Sequence, residues 1–168
     1  MRDGIRPLNF EDQKQIENLA WECLQNKDNI TVFPIAPTKK NSQLFYRLEI
    51  FPLLLSENPA FGFFSKGELQ GLYCCTISSE CEYETQYPLA IGGITVVRPS
   101  QRRLGIGTKL RNHLIDHLKK MKIERFIFEI KADNTASFSN AINVAKAIGE
   151  ESNVKIISFR GEAANNVY

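Results

Sequence analysis

The stretch from Thr95 to Leu110 constrains the fold more than any other part of this chain. It reads TVVRPSQRRLGIGTKL: a β-branched strand end, a proline turn, an Arg/Gly loop and the first turn of a helix. The apolar residues that follow recur on one helical face, at Leu110, Leu114, Leu118 and Met121. The pattern therefore predicts a strand, a tight loop and an amphipathic helix in direct succession.

The loop has the composition of an anion-binding site. A helix that begins at glycines presents backbone N–H groups that have no partner inside the helix, and its dipole adds partial positive charge. Gly105 and Gly107 carry no Cβ, so a ligand can approach the backbone closely. Arg102 and Arg103 add full positive charge. These features together predict a binding site for a phosphate or a diphosphate.

The sequence of this loop matches neither of two common phosphate-binding motifs. A P-loop requires a glycine, four further residues and then Gly-Lys-Ser/Thr. Here Gly107 is followed by Thr108 and only then by Lys109, and position 102 holds an arginine instead of the first glycine. A dinucleotide-binding turn requires a third glycine where this chain has Leu110. A glycine-rich connection that binds nothing is the remaining structural alternative.

The motif R-x-x-G-x-G at residues 102–107, preceded by V-x-P at 97–99, resembles the acetyl-CoA diphosphate loop of the GCN5-related N-acetyltransferase (GNAT) superfamily. The order of predicted elements resembles that fold over residues 5–159. The resemblance implies an α/β fold, with a mixed, mostly antiparallel sheet, a central splayed pair of parallel strands and about four flanking helices. It implies a single domain over residues 1–168. The family usually has a seventh strand, for which only 161–168 remain.

The patterning along the chain gives the individual elements. Asn9 and Asp12 have the spacing of a capping box ahead of a first helix that ends near Gln25, and Ser42 is the predicted cap of a second helix. Pro52 should kink or restart that second helix, and the three leucines after it should close against the core. A last helix is predicted over 134–148. The predicted strands are Ile5–Leu8, Ala60–Ser65, Leu69–Ile77, Tyr87–Val97, Arg125–Lys131 and Val154–Phe159.

Two glycines stand inside the fourth predicted strand, between Tyr87 and Val97. Gly92 and Gly93 indicate a β-bulge or a close approach of a ligand, since glycine weakens a regular strand. In the family, the pantetheine arm lies between this strand and Arg125–Lys131, so the bulge falls beside the implied ligand.

The resemblance implies acetyl-CoA as the co-substrate. Backbone N–H groups of the loop would hold the diphosphate, the strand end would pair with the pantetheine amides, and one strand N–H would polarise the thioester carbonyl. An asparagine that opens the family's next motif would contact the same arm, although here it also suits a helix N-cap. The residues implied are Val96, Val97, Arg102, Arg103, Leu104, Gly105, Ile106, Gly107, Thr108 and Asn134.

A general base is needed because an alkyl amine has a pKa near ~10.4 and is almost entirely protonated at neutral pH. Many family members have a glutamate on the strand before the loop, at a place that falls near Ile91 here. Glu129 on the next strand is the nearest substitute in sequence, and Glu82 and Glu84 in the preceding hairpin are others. For each of them, a solvated surface carboxylate is the alternative.

The general acid is also missing from its usual place. Family members often have a tyrosine seven residues after the asparagine, but this chain has Ala141 there. Tyr83 is the candidate acid, with Tyr46 and Tyr87 as alternatives on other elements. Because a thiol has a pKa near ~8.5, a thiolate leaves tolerably well without full protonation, and losing the acid would cost on the order of 10²-fold in rate.

The implied function is transfer of an acetyl group from acetyl-CoA to a primary amine of a small molecule or a protein, by direct attack in a ternary complex. The acidic residues Glu80, Glu82 and Glu84 favour a cationic amine. Two alternatives stay open, a catalytically idle acyl-CoA-binding protein and an interaction module. The short C-terminus leaves a homodimer as a further alternative, in which a second subunit supplies the last strand.

Composition narrows the setting. A net charge of +2 does not indicate nucleic-acid binding, no apolar run reaches the length of a membrane span, and residues 1–4 lack the apolar core of a signal peptide. A cytoplasmic location is therefore expected. No metal site is predicted: His113 and His117 lack a third ligand, and Cys74 and Cys75 should point to opposite faces of a strand as buried thiols.

Overall fold

The computed structural model describes residues 3–27, 36–78, 88–123, 125–131 and 153–159, with Ser139 and Ile142, and only the backbone at 128, 129, 131 and 153–159. Six strands form one sheet in the order of the sequence. The first three strand pairs are antiparallel and the last two are parallel. The strands are β1 (Gly4–Pro7), β2 (Ala60–Ser65), β3 (Glu68–Ser78), β4 (Leu89–Val97), β5 (Arg125–Lys131) and β6 (Asn153–Phe159).

The helices join the strands as the periodicity predicts. A π-helical turn, Tyr46–Ile50, connects α2 to α3, and 3-10 turns precede α1 and follow β4. Of the predicted last helix only Ser139 and Ile142 are described, both in helical conformation. Among the described helices, none has the length and apolar character needed to cross a membrane. The helices are α1 (Gln13–Gln25), α2 (Lys39–Phe45), α3 (Phe51–Leu55) and α4 (Ile106–Lys120).

The six predicted strands all form, and the mixed sheet with a parallel central pair is confirmed. β6 pairs directly with β5 along its whole length, from Arg125 opposite Asn153 to Lys131 opposite Phe159. Because β5 has a strand on each side, a seventh strand could join only at an outer edge of this sheet. The residues predicted to supply it, 161–168, lie outside the described part of the chain.

Two apolar clusters cover the two faces of the sheet. One is built around Ile16, Leu19 and other residues of α1, and the second around Leu110 and Leu114 of α4. The adjacent residues Cys74 and Cys75 divide between them, Cys74 in the α1 cluster and Cys75 in the α4 cluster. The prediction that the two thiols are buried on opposite faces is confirmed.

A capping box stabilises the start of the 3-10 turn, Phe10–Asp12, that leads directly into α1. The Asn9 side chain accepts a hydrogen bond from the Glu11 backbone N–H, and the Asp12 carboxylate accepts one from the Asn9 N–H. Arg6 of β1 donates two hydrogen bonds to Asp12, at 2.6 and 2.8 Å. Burial by itself raises the pKa of Asp12, but the bonds from Arg6 and Asn9 outweigh it and hold this pKa below its usual value. The predicted capping box is confirmed, and it fixes α1 to the sheet edge.

The second helix begins earlier than predicted. Thr38 is its N-cap, with a side-chain oxygen that accepts from the Asn41 N–H at 3.1 Å. Ser42 instead lies buried inside α2, where its hydroxyl donates to the Lys39 carbonyl at 2.8 Å. The predicted Ser42 cap is therefore wrong, because two hydroxyl residues lie near the boundary and only the extended backbone of Thr38 suits a cap.

Pro52 restarts the helix as predicted. It lies in the first turn of α3, directly after the π-helical turn, where a missing N–H has no cost. Leu53 and Leu54 pack against the core, but Leu55 is 66% exposed. The expectation that all three leucines close against the core is wrong for Leu55, because a helix cannot turn three consecutive side chains to one face.

A β-bulge interrupts the β3–β4 ladder at Gly93. Thr95 pairs with Tyr73 and Gly92 with Cys75, so two residues of β4 oppose Cys74 alone. A Cβ at Gly93 would lie 2.3 Å from the carbonyl oxygen of Cys74, closer than any side chain can approach. The predicted bulge is confirmed, and the close approach that requires glycine here comes from the neighbouring strand.

Replacing Gly93 with alanine should lower the free energy of unfolding by about 3 kcal/mol, because the clash is with backbone that cannot rotate away. Gly67 provides the control: it has φ +79° and nothing within 4 Å of a built Cβ. G67A should cost only about 1 kcal/mol of backbone strain. Urea unfolding of both variants measures the difference, and an equal loss in the two would contradict the bulge geometry.

Candidate functional site

The two central parallel strands separate along their length. β4 and β5 pair only from Ala90 opposite Phe126 to Gly92 opposite Phe128, at the beginning of β4. β4 then continues for five residues to Val97 without pairing with β5. The separation starts at the bulge, since Gly92 is both the last residue paired with β5 and the neighbour of Gly93. The predicted splay is confirmed, and we call the space between Gly93–Val97 and the end of β5 the fork.

The pairing of β4 with β3 decides which backbone groups face the fork. The Arg98 N–H donates to the Gln70 carbonyl of β3 at 2.8 Å. Because backbone groups alternate along a strand, Val96 also directs its N–H and C=O toward β3, whereas Val97 directs them away from β3. The backbone of Val97, more than that of Val96, is therefore available to a molecule in the fork.

The loop after β4 leads into a helix that begins at a glycine. A 3-10 turn at Pro99–Gln101 leads to Arg103, which has φ 62°, and to Gly105, which has φ 77° and is the N-cap of α4. Gly105 has no side chain, so the N-cap residue itself forms no cap hydrogen bond. The first backbone N–H groups of α4 and the positive end of its dipole thus lie directly beside the C-terminal end of β4.

Arg102 lies across the end of the fork. Its Nε and Nη2 atoms donate to the Val97 carbonyl oxygen at 3.2 and 3.3 Å. The Cys23 sulfur, near the end of α1, lies 3.6 Å from the same oxygen and 3.8 Å from Nη2 of Arg102. A guanidinium, a thiol and a fork-facing carbonyl therefore form one cluster, which sequence spacing could not reveal because Cys23 and Val97 are 74 residues apart.

Of the predicted catalytic residues, Glu129 is described by its backbone. It is the first residue of β5 after the last pair with β4, so its backbone lies where the two strands begin to separate. Ile91, at the place of the family's glutamate, pairs with Ile127 in the ladder below the fork. Glu82, Tyr83 and Asn134 lie outside the described residues, as do Glu84, Tyr87 and Ala141.

Tyr46 lies away from the fork. It is 3% exposed within the core on the α1 side of the sheet. Burial raises its pKa, and the carboxylates of Glu17 and Asp12 raise it further. Those carboxylates lie near the beginning of α1, whereas Cys23, which contacts the fork, lies near its end, roughly 9 Å further along the helix axis from Glu17. The geometry does not support Tyr46 as an acid.

Arg98 is a positioning residue that the sequence analysis missed. Its Nη1 atom lies 3.3 Å from Glu22 of α1 and 3.4 Å from Glu68 of β3, and Nη2 donates to the Leu69 carbonyl. One side chain thus ties the end of α1 and the start of β3 to the residue that follows β4. Only the pairing of the elements brings these groups together, so no local sequence pattern could indicate the role of Arg98.

A buried charge on α4 was also missed. Arg111 is 4% exposed, and its guanidinium carbon lies 5.5 Å from the ring centroid of Tyr73. Burial raises the pKa of Tyr73 to about 12, although Arg111 opposes the change. Arg111 precedes Ile115 and Leu118 at helical spacing, so the stripe of α4 did contain a signal of its burial.

The two histidines of α4 pack on one aromatic side chain. The ring centroids of His113 and His117 lie 4.7 and 5.1 Å from that of Phe61, both edge to face. In the part of the chain that the structure describes, no group of three possible metal ligands occurs. These contacts account for the four-residue spacing of the histidines by packing.

Two parallel strands that separate, with a helix beginning at a glycine beside their open end, are typical of α/β proteins that bind an elongated anionic ligand between the strands. The acetyltransferase (GNAT) family model matches residues 14–147. The chain therefore belongs to the acetyltransferase (GNAT) family, and the predicted resemblance is confirmed.

Solved structures share the fold. An N-acetyltransferase from Staphylococcus aureus Mu50 is 19% identical, with a TM-score of 0.64 over 86% of this chain and 82% of that one. The aminoglycoside 6'-N-acetyltransferase AAC(6')-IG from Acinetobacter haemolyticus is 18% identical, with a TM-score of 0.60 over 96% and 99% of the two chains. A putative acetyltransferase from Salmonella typhimurium, yncA, solved with acetyl-CoA, is 17% identical, with a TM-score of 0.61 over 83% and 76%. No curated protein sequence matches this chain.

Cys74 and Cys75 should resist alkylation in the folded protein. Burial raises the pKa of each thiol to about 12, so at pH 8 only about one molecule in ten thousand carries the reactive thiolate at either position. Iodoacetamide labelling with peptide mapping should find both protected until urea unfolds the chain. Rapid labelling of either thiol at pH 8 in the native protein would contradict this.

Proposed function

We propose that this protein transfers an acetyl group from acetyl-CoA to a primary amine, by direct attack within a ternary complex. The observation that carries the proposal is the start of α4 at Gly105, a cap residue without a side chain, beside the open end of the fork. Family membership supports the same reaction class. As a single-domain acyltransferase over 1–168, the chain needs only a thioester donor and an amine.

The loop supplies charge stabilisation for a diphosphate. The backbone N–H groups of Leu104–Thr108 lie at the positive end of α4, and an anion there also gains from Arg102 and Arg103. Gly105 has nothing within 4 Å of a built Cβ, so the diphosphate can lie close to the chain. Charge-assisted bonds of this kind are the stronger ones in proteins, which suits a site that must hold a mobile carrier.

The fork accepts the pantetheine arm. Its amide groups need backbone partners, and the N–H and C=O of Val97 point away from β3, into the space where such an arm would lie. A strand N–H in the same region, near Val96 or Val97, would polarise the thioester carbonyl and stabilise negative charge as the amine attacks. Asn134 would add a side-chain contact to the arm.

Glu129 is our candidate for the general base. Its position on β5, one residue beyond the last pair with β4, supports a role at the point where donor and acceptor meet. The base removes the proton that keeps the amine from attacking, while the departing thiolate needs less help because a thiol pKa is near ~8.5. Glu82 is the alternative base and Tyr83 the candidate acid.

The acceptor is a primary amine of a small molecule or a protein. Among proteins that share the fold, one is an aminoglycoside 6'-N-acetyltransferase and one a ribosomal-protein-S18-alanine N-acetyltransferase, so this fold accommodates both kinds of amine. Glu80, Glu82 and Glu84 support a cationic acceptor by charge. A cytoplasmic location and a homodimer stay predictions.

One observation favours a second candidate, a GNAT protein that binds acyl-CoA without transferring the acyl group. Ile91 lies near the place where many family members have a glutamate, and an isoleucine side chain cannot accept a proton. This candidate keeps every contact of the loop and the fork, and it lacks only a base. It therefore predicts binding of acetyl-CoA without turnover.

Replacing Gly105 with alanine should weaken acetyl-CoA binding about tenfold or more, because the added Cβ stands where the diphosphate approaches the backbone. Gly67 is a matched control, with φ +79° against +77° at Gly105 and equally open space. G67A should lose the same stability but bind acetyl-CoA as the wild type does. Calorimetric titration measures both, and absence of binding by the wild type would remove the whole proposal.

Replacing Glu129 with glutamine should lower kcat by about 10²- to 10³-fold, with acetyl-CoA binding unchanged, since the amide cannot accept the proton. Thiol release measured over a panel of amines, at several pH values, provides the rate. E82Q is the comparison variant and should retain turnover. If E129Q is as active as the wild type and E82Q is not, the base is Glu82; if no amine supports thiol release, the second candidate is correct.

A further inference from the structure

The Val97 carbonyl oxygen is more heavily engaged than a strand carbonyl normally is. It accepts from two nitrogens of Arg102, at 3.2 and 3.3 Å, and the Cys23 sulfur lies 3.6 Å away. A carbonyl oxygen has two lone pairs, so these donors already use its full capacity. Any further donor that reaches this oxygen must displace one of them.

The same carbonyl is the one that a pantetheine amide requires under the proposed function. Val97 directs its N–H and C=O away from β3, and β5 has no pairing with this part of β4. The arm of the carrier and the guanidinium of Arg102 thus compete for one acceptor. Arg102 also belongs to the loop that surrounds a diphosphate, where its charge has a second and stronger partner.

We propose that Arg102 is a specificity-determining residue, which holds the Val97 carbonyl until a diphosphate draws its guanidinium away. A carrier with a diphosphate opens the fork for its own pantetheine arm. A pantetheine compound without a diphosphate must instead displace Arg102 from the Val97 carbonyl oxygen by itself. The protein would in this way select coenzyme A thioesters over shorter pantetheine thioesters, and the inference rests on the proposed function.

The proposal makes a quantitative statement about two fragments of the carrier, ADP and pantetheine. ADP contains the diphosphate and pantetheine contains the amides, so each fragment carries one half of the contacts. If a diphosphate moves Arg102, then ADP should tighten pantetheine binding about three- to tenfold, which is the range expected for one neutral hydrogen bond. The coupling must be reciprocal, so pantetheine should tighten ADP binding by the same factor.

The experiment titrates pantetheine into the full-length protein with and without saturating ADP, and follows the Val97 and Gly105 amide signals by NMR. In the wild type we expect the coupling given above. In R102M, which keeps the side-chain stem and removes the donors, we expect pantetheine alone to bind more tightly than to the wild type, ADP to bind more weakly, and the coupling to vanish.

R103M is the matched control, since it removes an equal charge from the adjacent residue of the loop. The hydrogen bonds to the Val97 carbonyl come from Arg102, so R103M should weaken ADP binding, retain the coupling and leave the binding of pantetheine alone unchanged. C23A, which removes the sulfur beside Val97 and Arg102, should reduce the coupling without weakening ADP.

Two results would overturn the inference. The first is equal affinity for pantetheine with and without ADP in the wild type; the second is R102M binding both fragments more weakly, as expected of a simple diphosphate ligand. Either result leaves the proposed function intact when acetyl-CoA itself binds. Absence of acetyl-CoA binding to the wild type would instead reject the proposed function, and the inference with it.

Discussion

The structure depends on one backbone contact, the approach of Gly93 to the carbonyl of Cys74. Because no Cβ fits at Gly93, two residues of β4 can oppose a single residue of β3, and the strand bends there. Up to Gly92, β4 pairs with β5, and beyond the bulge it does not. The bulge thus turns a continuous sheet into one with a fork, and Val97, Arg102 and Cys23 meet at the end of that fork.

Several positively charged groups lie together at the open end of the fork. α4 begins there at Gly105, and its dipole, its first N–H groups and two arginines all favour an anion. Arg98, one residue after β4, ties the neighbouring α1 and β3 together through Glu22 and Glu68. The residue at which the loop begins is therefore tied both to α1 and to β3.

Arg102 connects the loop to the fork. Its guanidinium donates two hydrogen bonds to the Val97 carbonyl, so a charged side chain of the loop is bonded to a backbone acceptor that faces the fork. Cys23 brings α1 into the same cluster. The coupling that we propose between diphosphate and pantetheine binding requires no movement of strands or helices, since only the Arg102 side chain exchanges its partner.

Much of this protein was determined by the sequence alone. The succession of strands and helices along the chain, the bulge at Gly92–Gly93 and the helix that begins at the loop all follow from local patterns, and so did the opposite burial of Cys74 and Cys75, because period, glycine and capping act over a few residues. Tertiary structure alone decided that β6 pairs directly with β5, that Thr38 rather than Ser42 caps α2, and that Cys23 and Arg102 meet at Val97. Those contacts join residues far apart in the chain or choose between equivalent residues, and only the packing of the sheet against its helices can make that choice.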